Sequence, residues 1–184
     1  GKEEDKMGIR ASATAEIIFE DCFVPDSARV GKEGRGFMIA MQTLQMSRPV
    51  VAAISVGIAQ AAIEAAVAYS HHRKQFGVKI ATFEMVQQMI ADMVMKTEAA
   101  RILTYKACVA QMNKDKKAGL YSAMSKCFAS DTAMEVTTTA VQVMGGNGYS
   151  RENPVEKYMR DAKIMQIYEG TNQVQRLVIA NEAT

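Results

Sequence analysis

The sequence has few cysteines, few prolines and almost no net charge, and each shortage closes off a class of protein. Its three cysteines, Cys22, Cys108 and Cys127, are odd in number, widely spaced and form no C-x-x-C pair. That argues against a disulfide scaffold or a structural zinc site and makes a reducing compartment the default. Lys plus Arg number 22 against 20 for Asp plus Glu, and a formal net charge of +2 leaves no footprint for nucleic acid or an anionic membrane. The longest charge-free apolar stretch, from Pro49 to Ile63, falls short of the ~20 residues a membrane span needs and reads as a buried helix. The opening Gly-Lys-Glu-Glu-Asp-Lys carries neither an initiator Met nor the basic and apolar regions of a signal peptide, and it reads as a cut inside a longer protein.

What is present is the composition of a globular domain, 48% hydrophobic and 23% charged over 184 residues. The three prolines lie at 25, 49 and 154, so Val50 to Asn153 has none and is rich in Ala, Met, Gln, Glu and Lys. Long helices are expected there. Thr14 to Val24 instead alternates Ala15, Ile17 and Phe19 against Thr14, Glu16 and Glu20, which predicts a strand or the last strands of a sheet. From Phe37 a short helix is expected to about Met46, then a break at Ser47-Arg48-Pro49 and a second helix to Arg73. Gln75 to Thr82 reads as a loop around Gly77. Helical spacing of Phe83, Val86, Met89, Ile90, Met93, Val94 and Thr97 predicts a helix to about Asn113. Leu120 to Met144 makes another, ended by Gly145-Gly146, and Pro154 to Ile164 and Thr171 to Ala180 make two shorter ones. The fold class is therefore mainly α, an antiparallel bundle of four-helix type preceded by a short β segment. Fourteen methionines are expected to fill its core.

Few motifs survive a plain reading. Gly145-Gly146-Asn147-Gly148 follows no strand and completes neither G-x-G-x-x-G nor G-K-[ST], so the Rossmann and Walker readings fail. His71 and His72 are adjacent, point about 100° apart on a helix and cannot chelate one metal. No metal site is expected. In Ile167-Tyr168-Glu169-Gly170-Thr171-Asn172-Gln173, Thr171 suits the N-cap of the last helix, and Glu169 near a helix start suits the macrodipole. On composition alone that capping role explains the string.

Six strings in order carry a resemblance: KMGIRASATAEIIFEDCFVP (Lys6 to Pro25), GRGFMIAMQTL (Gly34 to Leu44), RKQFG (Arg73 to Gly77), QVMGGNGY (Gln142 to Tyr149), PVEKYMRDAKI (Pro154 to Ile164) and IYEGTNQVQR (Ile167 to Arg176). Together they resemble the acyl-CoA dehydrogenases, flavoproteins that α,β-desaturate acyl-CoA thioesters. The resemblance implies that residues 1–35 are the end of a middle β-domain with a linker and that 36–184 are a C-terminal helical bundle, with an N-terminal helical domain and most of the β-domain absent. It also implies a compartment, cytoplasmic in a bacterium or the mitochondrial matrix in a eukaryote.

The resemblance further implies a mechanism. Glu169 occupies the position of the base that removes the α-proton while hydride leaves the β-carbon for flavin N5, and its backbone N–H is one donor to the thioester oxygen. In some family members the base stands instead at the position of Ser47, and a serine cannot replace a carboxylate. Arg48 resembles the arginine at the CoA end, and Tyr168 and Gly170 flank the base on the substrate side. Arg73, Gln75 and Phe76 match the segment that reaches the FAD of a neighbouring subunit, Gln142, Gly145 and Gly146 its adenine side, and Thr171 and Gln173 residues that contact FAD after the base. FAD, an acyl-CoA substrate, self-association as a dimer or dimer of dimers, and an electron-transferring flavoprotein are the expected partners. An acyl-CoA oxidase and a catalytically silent helical module remain the alternatives.

Overall fold

The computed structural model describes residues Gly1–Thr184. Its frame is three long helices, α1 (Gly36–His72), α2 (Glu84–Met112) and α3 (Ala118–Met144), followed by the single turn α4 (Gly146–Tyr149) and two shorter helices, α5 (Val155–Met165) and α6 (Asn172–Ala183). The mainly α bundle expected from the periodicity is the observed fold, with α3 at its centre against α1, α2, α5 and α6. Small residues make that centre possible. Ala59, Ala62, Ile63 and Ala66 of α1 meet Ala133, Val136, Ala140 and Val143 of α3, each set on one helical face, and Met93, Val155 and Ala162 close the core. Buried Ser55, Thr104, Ser130 and Thr137 satisfy their hydroxyls on carbonyls four residues back in their own helices.

The methionines depart from expectation. Met93, Met144 and Met165 are buried, but Met7, Met38, Met41, Met46, Met85, Met95 and Met112 are exposed. Alanine-lined helices approach too closely to leave gaps that long thioethers would fill.

The expected break at Ser47-Arg48-Pro49 does not occur, and α1 runs through Pro49. Proline lacks the N–H that would bond the carbonyl four residues back, which is that of Gln45. The Gln111 side chain of α2 supplies the missing donor, its Nε2 lying 2.8 Å from the Gln45 oxygen and 2.9 Å from Ser122 Oγ. A continuous α1 is long and apolar enough by composition to cross a bilayer. Its buried face, from Val51 through Ala66, is instead covered by the other helices of the bundle.

Thr14–Val24 forms no strand, and Ile17, Ile18 and Phe19 are exposed. A strand needs a ladder partner, and this segment's backbone meets the rest of the chain only where the Glu4 N–H and the Gly1 amino group donate to the Thr14 and Glu16 carbonyls. A two-stranded hairpin appears where a loop was expected: β1 (Lys74–Gln75) pairs antiparallel with β2 (Val78–Lys79). Its two turn residues, Phe76 (φ 51) and Gly77 (φ 82), both lie in the left-handed region that fits the strand twist. The N-terminal segment is tied to α5, with Ile9 N–H donating to Asp161 Oδ1 (2.6 Å) and Arg160 Nη1 to the Met7 oxygen (2.8 Å). Gly8 lies so close to the Arg160 carbonyl that a β-carbon would overlap it.

Candidate active site

Glu169 and Gly170 are consecutive left-handed residues, φ 58 and φ 88, in the loop between α5 and α6. The first is unusual for a residue with a side chain and the second suits only glycine. This turn aims the Glu169 carboxylate at α1, where Ser47 Oγ donates to its Oε2. The side chain is half-buried, and the N–H groups of Glu169 and Gly170 donate to nothing within the chain. The site thus holds a carboxylate and two free backbone donors within one turn. Thr171 caps α6 as expected, its Oγ1 accepting from Val174 N–H at 3.3 Å. Glu169 lies two residues before that cap, and its carboxylate accepts from Ser47.

Arg48 is half-buried beside this turn, and its Nε has no hydrogen-bond partner. Burial lowers its guanidinium from the ordinary value, against the opposing pull of Glu169 and Glu182. An orphaned, partly desolvated cation next to a carboxylate is a ready contact for a polar or anionic ligand. Tyr168 donates its hydroxyl to Met165 Sδ (2.9 Å), and burial, then the Glu169 charge, raises its pKa.

Beneath the turn lies a polar network that sequence reasoning missed. Lys126 of α3 is fully buried and donates from Nζ to the Gly170 carbonyl (2.9 Å) and to Asn172 Oδ1 (2.8 Å). Asn172 donates in turn to Ser130 Oγ (2.8 Å) and to Asp131 Oδ1 (2.7 Å). Gln175 Nε2 reaches the Gly170 carbonyl at 3.0 Å and the Glu169 carbonyl at 3.3 Å. Burial brings Lys126 down to about 8, partly offset by Cys127, Asp131 and Glu169 and deepened by Arg48. Burial also pushes Asp131 up, but hydrogen bonds from Arg176, Gln166 and Asn172 outweigh it and hold the carboxyl below its ordinary range. One signal was available in the sequence. Ala123, Lys126, Ser130 and Ala133 follow the spacing of a buried helical face, and a lysine on that face asks for a partner.

A second cleft, of about 450 Å³, lies where the end of α1, the start of α2 and the end of α3 meet. It gathers Arg73, Gln75, Gly145 and Gly146 with Tyr69 and Asn147. Arg73 makes no ion pair, and the space beside Gly145 and Gly146 is open, so a flat group and an anion can both approach. Gln142 is exposed on the last turn of α3 outside this lining. Phe76 sits at the hairpin tip, 93% exposed and edge-on to Phe83 at 6.3 Å, rather than in the cleft. Thr171 and exposed Gln173 line a separate polar recess with Asp131 and Arg176. The expected residues therefore gather at the Glu169 turn, in the cleft at the far end of α1 and in the recess beside α6, and Arg48 and Arg73 stand roughly 37 Å apart along α1 by the helical rise.

Residues 34–184 match the family described as Acyl-CoA dehydrogenase, C-terminal domain. The chain belongs to the acyl-CoA dehydrogenase family. It is 54% identical over 180 residues to a probable acyl-CoA dehydrogenase, FadE25, of Mycobacterium tuberculosis, which covers 98% of this chain and 46% of that protein. Butyryl-CoA dehydrogenase from Megasphaera elsdenii superposes with a TM-score of 0.97 at 51% identity, covering all of this chain and 48% of the other. A chain in a structure of the electron transferring flavoprotein of Acidaminococcus fermentans, directed at the mechanism of flavin-based electron bifurcation, gives 0.96 at 56%, again over all of this chain and 48% of the other. The chain thus spans about half the length of the relatives it matches.

Proposed function

We propose that this chain is the C-terminal half of an FAD-dependent acyl-CoA dehydrogenase, with residues 1–35 the end of its middle β-domain and linker and 36–184 its helical domain, and that Glu169 is the base. The observation that carries the reading is the Glu169–Gly170 turn, which offers a carboxylate and unpaired N–H donors side by side. The carboxylate takes the α-proton of a thioester, and the Glu169 N–H stabilises the enolate-like charge on the thioester oxygen. Ser47 orients the carboxylate. Arg48 meets the CoA end, with Tyr168 and Gly170 closing the acyl side of the turn.

Bound FAD would supply the acceptor for the hydride leaving the β-carbon. Arg73, Gln75, Gly145 and Gly146 would hold its phosphate and adenosine portion, with Phe76 and Gln142 at the margin of that cleft, and Thr171 and Gln173 would hold it near the base. The second cleft serves the flavin of a neighbouring copy, as the resemblance to the family implies. The acyl-CoA dehydrogenase is therefore read as a homo-oligomer, a dimer of dimers as in its family, that passes electrons to an electron-transferring flavoprotein in the bacterial cytoplasm or mitochondrial matrix.

The test joins the chain to the N-terminal portion its relatives possess and mixes that complete enzyme anaerobically with a panel of acyl-CoA thioesters. Bleaching of the flavin by at least one thioester, with little oxygen uptake in air, is expected. A colourless preparation would favour the silent module, and rapid oxygen consumption the oxidase.

A further inference from the structure

We infer that Lys126 is a positioning residue that holds the Glu169–Gly170 turn in its left-handed conformation and so sets the Glu169 carboxylate against Ser47. The inference rests on the reading of Glu169 as the base. Lys126 stands inside α3, one layer below the loop, and forms no ion pair with any carboxylate. Both of its acceptors, the Gly170 carbonyl and Asn172 Oδ1, belong to the segment that follows Glu169. A buried ammonium is costly unless its hydrogen bonds are made, so the energy of satisfying it is placed on the geometry of this one turn.

The surrounding contacts leave Lys126 the decisive donor. Asn172 is held to α3 jointly, by Lys126 at its Oδ1 and by its own contacts with Ser130, Asp131 and the Cys127 carbonyl (3.3 Å). Gly170 is reached by two side chains only, Lys126 from α3 and Gln175 from α6. Gln175 reaches the carbonyl from within α6, five residues on, whereas Lys126 ties it to the central helix that also packs on α1, the helix bearing Ser47. Removing Lys126 frees the Gly170 peptide to rotate, and Glu169 turns with it. A base displaced by about 1 Å loses roughly 100-fold in rate.

The test uses Lys126→Met, which keeps length and apolar bulk but donates nothing. In the 184-residue chain the wild-type Asn172 amide, which donates to the Gln166 carbonyl at 3.0 Å, is expected to exchange as slowly as the amides of α3. In Lys126→Met it is expected to exchange at least about tenfold faster while α3 stays protected. In the complete enzyme Lys126→Met is expected to slow flavin reduction about 100-fold with FAD content and KM nearly unchanged, and to raise the kinetic isotope effect of α-deuterated substrate. Lys126→Arg, which restores donors and charge, is expected to recover part of the rate. Wild-type reduction and unchanged Asn172 exchange in Lys126→Met would overturn the inference. If Lys126→Met does not fold, the wild-type amide decides alone, and fast exchange at Asn172 overturns it. Glu169→Gln in the same preparations separates the two readings: reduction that survives Glu169→Gln refutes the assignment of the base, whereas reduction lost in Glu169→Gln but kept in Lys126→Met refutes only the positioning role.

Discussion

Gly170 has two reasons to be glycine, a φ of 88 and a space already filled by Gln175 Nε2, 2.5 Å from where a β-carbon would sit. Gly170→Ala is expected to destabilise the chain by about 1–3 kcal/mol in urea unfolding; a loss below the error of the measurement would mean that the turn is not fixed as described. Lys126 gives a pH dependence with a definite sign. Below pH 8 both folded and unfolded chains hold its proton, and the fold bears the cost of burying the charge. Between about 8 and the ordinary 10.5 the unfolded chain keeps the proton that the folded chain has released, so stability rises with pH across that window. Wild type is expected to gain stability relative to Lys126→Met between pH 7.5 and 10, read as the difference in denaturant midpoints at each pH. Glu169 was legible at this scale because it lies in a string with family resemblance, and composition alone favoured only a helix cap. Lys126, Asn172 and Gln175 were not, because a clamp across α3 and α6 is a tertiary fact and no local pattern records which carbonyl a lysine will reach.

Helix lengths followed the periodicity closely, since α2, α3, α5 and α6 begin and end within a few residues of their expected bounds. Two departures share one cause. At Pro49 and at Thr14–Val24 local propensity was overruled by what the rest of the chain does or does not provide. Proline inside a helix ordinarily costs ~3 kcal/mol, but Gln111 satisfies the carbonyl that Pro49 strands. Gln111→Ala is therefore expected to cost about 1–2 kcal/mol in wild type and clearly less in a Pro49→Ala background, where the new N–H bonds the Gln45 carbonyl. A double-mutant cycle with no coupling would show that Gln111 acts only through Ser122. Thr14–Val24 has the alternation of a strand and lacks a neighbour to pair with, so its apolar residues stay in water.

At the scale of the whole molecule the chain leaves a long apolar stripe uncovered. Met95, Ile102, Tyr105, Val109 and Met112 are exposed along one face of α2, at spacings of three, four and seven residues. Self-association through this face is expected in sedimentation velocity and should weaken in Ile102→Glu; an unchanged distribution would place the contact elsewhere. The 184 residues alone are expected to fold yet to hold FAD poorly and to show no turnover, because the proposed base and the proposed flavin contacts stand open to water in the chain as it is. Stoichiometric flavin on the isolated chain would contradict that expectation.

The reaction proposed for the complete enzyme rests on Glu169. The most direct measurement is the rapid-mixing rate of flavin reduction by acyl-CoA in the complete enzyme carrying Glu169→Gln, with FAD content and ligand binding determined on the same sample. An amide cannot accept the α-proton, so reduction is expected to fall by several powers of ten while both ligands still bind. A rate within about tenfold of wild type, in an enzyme that binds FAD and thioester normally, would contradict the assignment of Glu169 as the base.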